Sequence, residues 1–227
     1  MKSGITIPSS LDIQGYCLLD KRLTPPMCDE LVSYYDHDER FRSTIDMARY
    51  KFGQGEYRYF DYPLPAPVAE LRGVLYGQLA PIANEWMSRL AIDIEYPEDL
   101  ETFLEECHKA GQKRPTPLIL QYGPGCYNTL HQDLYGDVFF PFQAIVALSE
   151  PDTDYTGGEL LLTEQKPRMQ SKGVVLRPNK GQIAIITNNF RPVQGTRGYY
   201  RANMRHGVAE VNSGSRYTLG IIFHDGK

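Results

Sequence analysis

Several absences in the sequence narrow what this chain can be. It has four cysteines in 227 residues, and no two of them have the CxxC spacing of a zinc site or a redox motif. It has no run of 18 apolar residues, so it offers no transmembrane helix. Residues 1–8 lack the apolar stretch of a secretory signal. We therefore expect a cytoplasmic protein with reduced thiols and no membrane partner.

Composition excludes several further classes. Hydrophobic residues make up 41% of the chain and charged residues 23%, which is ordinary for a globular protein and unlike disordered, collagen-like or coiled-coil chains. No Gly- or Ser-rich linker and no internal repeat divides the sequence. We predict a single domain over residues 1–227, in which residues 1–115 are mainly helical support and residues 116–227 form the core.

Acidic residues are missing from one long segment. Residues 165–206 contain no Asp or Glu, and the rest of the chain carries all 28 acidic residues with only 15 basic ones. The net charge of −4 therefore hides a strong polarisation along the sequence. This basic segment is either a solvated face or a surface for a polyanion. It contains nine basic residues: Lys166, Arg168, Lys172, Arg177, Lys180, Arg191, Arg197, Arg201 and Arg205.

The first half of the chain has helical patterns. A helix is predicted after Thr24, with prolines in its first turn. A second is predicted from about Pro67, with Pro81 expected to break or restart it, and a third over residues 97–110. Between the first two, residues 41–62 combine aromatic and basic side chains. This mixture suits either a substrate-covering lid or a β-hairpin that caps the core.

From Pro117 onward the sequence changes to short apolar runs separated by turn residues, the pattern of an all-β structure. Eight strands in this length are typical of a two-sheet jelly roll. The predicted fold class is therefore α+β, with a double-stranded β-helix (jelly-roll) core and N-terminal supporting helices. The predicted strands are residues 118–122, 127–132, 142–148, 159–163, 173–176, 182–187, 202–208 and 216–223.

Histidine is scarce, with five in the chain, and one of them stands in a metal-ligand pattern. His131 and Asp133 are two residues apart near a predicted strand, so their side chains point to the same face. His206, in a later predicted strand, is the best third ligand, and His224 is the alternative. Two histidines and a carboxylate suit non-haem Fe(II), because they leave coordination positions open for a co-substrate and dioxygen.

An arginine follows the second histidine by ten residues. With Asn212-Ser213-Gly214 as the predicted turn, a hairpin brings Arg216 onto the strand after that of His206. Its planar guanidinium can bind a carboxylate through two parallel hydrogen bonds. We therefore expect Arg216 to bind a dicarboxylate next to the metal.

The order His131, Asp133, His206 and Arg216 resembles that of the 2-oxoglutarate- and Fe(II)-dependent dioxygenases, over about residues 117–224. The resemblance implies that the two histidines and the aspartate bind iron and perform catalysis. It also implies that Arg216 holds the distal carboxylate of 2-oxoglutarate.

The block Tyr122-Gly123-Pro124-Gly125, followed by Leu130-His131-Gln132-Asp133, is similar to the AlkB-type branch of these enzymes. This similarity implies that Tyr122 hydrogen-bonds the co-substrate. Leu120 departs from that branch, which has Asn at this position. The ten-residue spacing from His206 to Arg216 is closer to that of prolyl-hydroxylase relatives.

A second resemblance covers nearly the whole chain. Five runs are similar to a prokaryotic oxygenase family described as acting on methylated nucleic acid by AlkB-related chemistry. They are residues 41–43, 57–60, 79–84, 168–171 and 191–198.

The resemblance implies an enzyme that hydroxylates a C–H bond with Fe(II), 2-oxoglutarate and dioxygen. Oxidative demethylation of single-stranded or damaged nucleic acid, as in DNA repair, is the favoured hypothesis, because aromatic and basic side chains together suit bases and phosphates. Hydroxylation of proline or another protein side chain is the alternative, followed by a small molecule. The candidate substrate-binding residues are Arg49, Tyr57, Arg58, Arg197 and Arg201.

Two other classes fit less well. A non-catalytic jelly-roll sensor would be marked by the loss of a metal ligand, and all three candidate ligands are present. A zinc hydrolase could use the same three ligands, but it leaves Arg216 without a role.

Overall fold

The computed structural model describes residues 5–227, apart from the side chain of Lys21. Residues 1–4, which begin the segment without a signal pattern, lie outside this description. Among the described residues no helix is long and apolar enough to cross a membrane. The helices are α1 (Ser10–Gln14), α2 (Pro25–Ser33), α3 (Met47–Tyr50), α4 (Ala66–Arg89) and α5 (Leu100–Lys109), with short 3-10 helices at Tyr34–Asp36 and Asp38–Arg40.

Fifteen strands are described, and they confirm an α+β fold. The first four are β1 (Tyr16–Arg22), β2 (Phe41–Asp46), β3 (Gly53–Gln54) and β4 (Glu56–Phe60). The next six are β5 (Leu118–Tyr122), β6 (Tyr127–His131), β7 (Phe142–Ala147), β8 (Tyr155–Gly157), β9 (Leu160–Gln165) and β10 (Lys172–Leu176). The last five are β11 (Gln182–Thr187), β12 (Phe190–Gly195), β13 (Gly198–Val208), β14 (Val211–Gly214) and β15 (Arg216–Ile222).

The strands form two main antiparallel sheets. The larger sheet has seven strands in the order β1-β11-β7-β15-β5-β4-β2. The smaller sheet has the order β10-β9-β13-β6-β3, with β12 paired to β13. Strands β8 and β14 form a separate pair. The eight strands predicted from the sequence are all present, and together they build the expected two-sheet jelly roll.

One predicted turn is wrong. Asn212-Ser213-Gly214 lies in β14 and pairs with β8, rather than forming a tight turn before Arg216. Polar residues form this strand because it is short and exposed. Its close approach to the loop before β8 requires a glycine: a Cβ on Gly214 would lie 2.0 Å from the Asp154 carbonyl oxygen.

Side chains on the larger sheet point alternately to the apolar core and to a cavity. On β7, Ala144 and Val146 join the core beneath the helices, whereas Gln143 and Ile145 face a cavity between the two sheets. On β15 the odd-numbered Leu219 joins the same core. The even-numbered residues of β15, among them Arg216 and Thr218, face the cavity.

Helix α4 is continuous through Pro81, contrary to the expected break. Buried residues continue on one face before and after the proline, from Leu75 to Trp86, and this packing outweighs one lost hydrogen bond. Pro81 and Gly77 are both exposed. Both residues thus lie on the solvent-facing side of the helix, where a carbonyl without a helical partner costs least.

Residues 41–60 contact both sheets. Strands β2 and β4 form a hairpin, and β4 pairs with β5 at the edge of the larger sheet. Between them, α3 and β3 cross to the smaller sheet, where β3 pairs with β6. The segment therefore combines a structural hairpin with a connection that reaches the strand of His131.

A buried ion pair joins α4 to the C-terminus. Arg72, which is 1% exposed, donates to the Asp225 carboxylate at 2.9 Å and to the Phe223 carbonyl oxygen at 2.9 Å. Asp225 is fully buried and also accepts from the Tyr62 hydroxyl at 2.9 Å. His108 Nε2 lies 2.9 Å from the same carboxylate. This network holds the supporting helices against the end of β15.

We predict that Arg72→Leu destabilises the protein by about 3–5 kcal/mol, because it leaves a buried carboxylate without its cation. Chemical denaturation gives the free energy of unfolding. The double variant Arg72→Leu with Asp225→Leu should recover part of the loss, since it removes the uncompensated charge. A double variant no more stable than Arg72→Leu would contradict this account.

Candidate metal centre and co-substrate cavity

Three candidate ligands converge between the sheets. His131 ends β6, Asp133 follows two residues later, and His206 lies on β13 directly opposite His131. One ligand atom from each residue lies within 4.8 Å of the other two. Asp133 Oδ2 is 3.1 Å from His206 Nε2, and Asp133 Oδ1 is 3.5 Å from His131 Nε2. The structure thus brings together residues that are 75 positions apart in the sequence.

Hydrogen bonds orient these side chains. His131 Nδ1 donates to the Thr129 carbonyl oxygen at 2.7 Å, which leaves a lone pair on Nε2 for a metal. The Tyr135 hydroxyl donates to Asp133 Oδ1 at 2.7 Å, and Gln143 Nε2 donates to Asp133 Oδ2 at 2.9 Å. The Gln143 amide also lies 3.0 Å from His206 Nε2. Every candidate ligand therefore has a neighbour that helps to fix its position.

Sequence reasoning missed Tyr135 and Gln143. Gln143 had a signal, because it is the only polar residue in the otherwise apolar strand β7. Tyr135 had a weaker one, its position two residues after Asp133. Gln132 has a structural role, because its amide donates to the Asn189 and Met204 carbonyl oxygens at 2.9 and 2.8 Å and so ties the ligand loop to β13.

The electrostatics of the site favour the metal-binding protonation states of His131 and Asp133. Burial lowers the pKa of His131, and its interaction with the neighbouring His206 imidazole lowers it further, so the His131 ring is neutral and can bind a metal. Burial tends to raise the pKa of Asp133, but the nearby His206 and His131 outweigh burial and hold it well below its usual range. Asp133 is therefore an ionised carboxylate.

His224, the alternative third ligand, does not join this group. It is fully buried, and its Nδ1 accepts from the Phe140 backbone N–H at 3.2 Å. Burial lowers the pKa of His224 to about 4, so its ring is neutral. Its ring packs against Tyr135, with the ring centroids 5.9 Å apart, and it is not part of the cluster. His206 is therefore the second histidine of the cluster.

The three candidate ligands open into a cavity of about 190 Å³. Arg216 and Tyr122 lie opposite each other on β15 and β5, and both line it. Arg216 is only 2% exposed, and its Nε and Nη1 have no hydrogen-bond partner among the described residues. Burial raises the pKa of Tyr122 to about 12 despite the charge of Arg216, so its hydroxyl is protonated and can donate.

Aromatic rings hold Arg216 in place. Its guanidinium carbon lies 5.4 Å from the Tyr122 ring centroid and 5.9 Å from that of Tyr155, which lies on β8. Gly158 allows this packing, since a Cβ there would lie 2.9 Å from Arg216 Cδ. The β8–β14 pair, which sequence reasoning missed, therefore closes the cavity behind the arginine.

These residues fit Fe(II) and 2-oxoglutarate. Two imidazoles and one carboxylate are the donor set that Fe(II) takes in oxygenases. Buried guanidinium nitrogens without partners are costly, and a carboxylate is the group that satisfies them best. The donor set for Fe(II) and the guanidinium that needs a carboxylate line the same cavity.

The candidate substrate residues divide between the cavity and the outer surface. Tyr57, on β4, lines the cavity, whereas Arg49 is exposed on α3. Arg58 faces the opposite side of β4, where it pairs with Asp38 at 2.6 Å and with Glu56 at 3.2 Å. Arg58 therefore forms ion pairs within the protein and does not line the cavity.

Arg197 and Arg201 lie on the hairpin of β12 and β13. Both are exposed, and Arg201 stacks over Phe190 at 4.7 Å from the ring centroid. Arg201 is an odd-numbered residue of β13, whereas His206 is even-numbered, so their side chains leave the strand on opposite faces. The structure does not bring these arginines into the cavity.

Part of the basic segment is neutralised by carboxylates that lie outside it. Arg191 is buried and donates twice to Glu164, at 3.0 and 2.8 Å. Lys166 lies 3.6 Å from Glu164, and Lys180 pairs with Asp29 at 2.6 Å. Arg177 pairs with Asp152. The other five basic residues of the segment are exposed and have no ion pair among the described residues.

The fold and the site together define a class of protein, the Fe(II)- and 2-oxoglutarate-dependent oxygenases, which are oxidoreductases. Comparison with known families then places the chain more narrowly. The Oxygenase-NA family, described as "Oxygenase, catalysing oxidative methylation of damaged DNA", matches residues 55–226, and this chain belongs to it.

Two curated relatives from Mycobacterium tuberculosis are similar in sequence. They are "Uncharacterized protein Rv2227" from strain H37Rv and "Uncharacterized protein MT2286" from strain CDC 1551. Each is 45% identical over 166 residues, which cover 73% of this chain and 71% of the relative.

Solved structures with the same fold include three prolyl 4-hydroxylases or related enzymes. The Pseudomonas putida prolyl-4-hydroxylase is 15% identical with a TM-score of 0.56, and the match covers 96% of both chains. A Phytophthora capsici prolyl 4-hydroxylase is 16% identical with a TM-score of 0.53, over 94% of this chain and 60% of that one. A Trichoplax adhaerens prolyl hydroxylase, solved with a hypoxia-inducible-factor peptide, is 14% identical with a TM-score of 0.53, over 94% and 85%. At these low identities the similarity establishes a shared fold and nothing about the substrate.

We predict that Tyr155→Leu weakens 2-oxoglutarate binding about 3- to 30-fold, because it removes one of the two rings that pack on the Arg216 guanidinium. Titration of 2-oxoglutarate into the anaerobic Fe(II) protein measures the dissociation constant. Tyr155→Phe keeps the ring and should stay within about threefold of wild type. Equal affinities for Tyr155→Leu and wild type would contradict this role.

Proposed function

We propose that this protein hydroxylates the methyl carbon of an N-methylated nucleic-acid base, with Fe(II) held by His131, Asp133 and His206. Arg216 and Tyr122 bind the 2-oxoglutarate. The observation that carries this proposal is the convergence of the three ligand atoms and the unpartnered Arg216 nitrogens on one cavity.

Each residue has a role that follows from its contacts. His131 presents Nε2 because Nδ1 donates to Thr129. Asp133 stays ionised and is held by Tyr135 and Gln143, so it supplies a fixed anionic ligand. Arg216 donates two hydrogen bonds to the distal carboxylate of 2-oxoglutarate from a site that excludes water.

When bound, Fe(II) and 2-oxoglutarate supply the oxidising power of dioxygen for hydroxylation of a C–H bond, and succinate and carbon dioxide are the co-products. The protein orients the substrate carbon and excludes water. A hydroxymethyl group on a ring nitrogen falls apart to formaldehyde and the free base. Formaldehyde therefore marks this substrate class.

The description of the Oxygenase-NA family, which names damaged DNA, supports the nucleic-acid substrate. A second candidate is hydroxylation of a prolyl or other protein side chain. The ten-residue spacing between His206 and Arg216 favours it, because that spacing is similar to the one in prolyl hydroxylases. The two candidates differ in product, since only demethylation releases formaldehyde.

We expect the anaerobic protein to develop a visible absorption band with Fe(II) and 2-oxoglutarate, and His131→Ala to abolish it, because one metal ligand is lost. His37→Ala, which changes an exposed histidine outside the cavity, serves as the matched control and should keep the band. A wild-type protein without the band would overturn the cofactor assignment to these residues.

Turnover distinguishes the substrate classes. Succinate and formaldehyde are measured with N-methylated single-stranded oligonucleotides and, in parallel, with proline-containing peptides. Formaldehyde in amounts equal to the extra succinate supports demethylation. Succinate stimulated only by the peptide, with a mass increase of one oxygen in it, would replace demethylation by side-chain hydroxylation.

We propose further that Arg197 and Arg201 contact phosphates on the outer face of the β12–β13 hairpin. Changing both to Glu should weaken oligonucleotide binding and lower the slope of log affinity against log salt by roughly 0.7 for each lost contact. The same charge change at Lys109 and Lys113, at the end of α5 and just after it, is the control. Unchanged affinity would mean that this hairpin is only a solvated face.

A further inference from the structure

Two aromatic rings lie at the mouth of the cavity. Tyr50, the last residue of α3, and Phe52 are stacked with their ring centroids 5.7 Å apart and their planes 18° apart. Phe52 also lines the cavity that contains His131. The two residues nevertheless remain 49% and 46% exposed. This pair, the rim platform, presents a flat apolar surface, and its Phe52 ring lines the same cavity as the candidate metal ligands.

The backbone beneath the rim platform is fixed at several points. The Phe52 N–H donates to the Met47 carbonyl oxygen at 3.0 Å, and Met47 itself is fully buried. The Phe52 carbonyl oxygen accepts from Thr129 N–H at 2.9 Å and from the Thr129 hydroxyl at 2.7 Å. At Gly53 a Cβ would lie 2.3 Å from the Tyr127 carbonyl oxygen, so only glycine allows β3 to pack on β6. The rings are therefore exposed on an anchored support.

Other large apolar side chains are exposed on the strand that pairs with β3 and just after it. Tyr127 and Leu130 lie on β6, the strand that pairs with β3, and are 38% and 44% exposed. Leu134, directly after Asp133, is 43% exposed. These three side chains add exposed apolar area to the chain segments on either side of His131.

The charges beside the rim platform have one sign. Residues 47–54 contain Arg49 and Lys51 and no acidic residue. Both cations are exposed, and the Arg49 guanidinium carbon lies 5.9 Å from the Tyr50 ring centroid. The nearest acid in the chain, Asp46, accepts a hydrogen bond from the Ala48 N–H at 3.0 Å as the cap of α3. Flat rings with flanking cations are complementary to bases linked by phosphates.

We propose that the rim platform binds a single-stranded nucleic acid by stacking an unpaired base on Tyr50 and Phe52, while Arg49 and Lys51 contact its phosphates. This proposal rests on the proposed function, and it names the surface by which the protein selects its nucleic-acid substrate. The base must be unpaired, because a base inside a duplex is covered on both faces and cannot stack on a protein ring or enter the cavity. The nucleotide next to the stacked base then reaches the cavity.

The test measures binding rather than turnover. Labelled N-methylated oligonucleotides, single-stranded and duplex, are titrated with the anaerobic protein containing Fe(II) and 2-oxoglutarate. We expect the single strand to bind more tightly than the duplex. Phe52→Ala and Tyr50→Ala should each weaken single-strand binding by about 5- to 150-fold, the range for one base stacked on an aromatic side chain.

Conservative variants separate stacking from apolar contact. Phe52→Tyr keeps the ring and should retain affinity within about twofold, whereas Phe52→Leu keeps apolar area and should bind as weakly as Phe52→Ala. Ile13→Ala is the control, because Ile13 is 69% exposed on α1, which packs on β1 at the opposite edge of the larger sheet. It should bind as wild type does.

The outcomes distinguish the rim platform from demethylation. If Phe52→Ala binds the single strand as well as wild type does, the rim platform is refuted even if formaldehyde is formed. If single-strand binding depends on Phe52 but no oligonucleotide yields formaldehyde, the rim platform is supported and demethylation fails. If wild type binds proline-containing peptides and no oligonucleotide, the rim platform is not a nucleic-acid surface and the proposal is overturned.

Discussion

The register between β6 and β13 is the constraint on which the site depends. It places His131 directly opposite His206, and a shift of one residue would send one imidazole to the outer face of the smaller sheet. Gly207, beside His206, contributes to this close pairing, because a Cβ there would lie 2.7 Å from the Asn128 carbonyl oxygen. The three candidate ligands converge because two backbones approach closely at one point.

A second register completes the cavity in the larger sheet. Arg216 on β15 lies opposite Tyr122 on β5, so the guanidinium and the phenol share one face. The two sheets carry complementary parts: the smaller holds the histidines, and the larger holds the arginine and Gln143. Because Gln143 reaches both Asp133 and His206, its amide joins the two sheets at the candidate metal site.

The sequence predicted the features that depend on local pattern. Alternating apolar residues locate the eight core strands, and the chemistry of the donor set singles out His131, Asp133 and His206. Contacts between distant segments left no such pattern: Arg58 with Asp38, Arg191 with Glu164, and the β8–β14 pair that supports Arg216. The course of α4 through Pro81 also depends on tertiary packing, which a helix-breaker rule does not contain.

Solvent exposure decreases along the cavity from its mouth to its end. The His131 side chain is 32% exposed, that of His206 is 7% exposed, and Arg216 at the far end is 2% exposed as a whole residue. Among these groups the Arg216 guanidinium is the one that solvent reaches least. With 2-oxoglutarate bound at Arg216 as proposed, a substrate beside His131 would lie between the co-substrate and solvent, so the co-substrate would have to enter first.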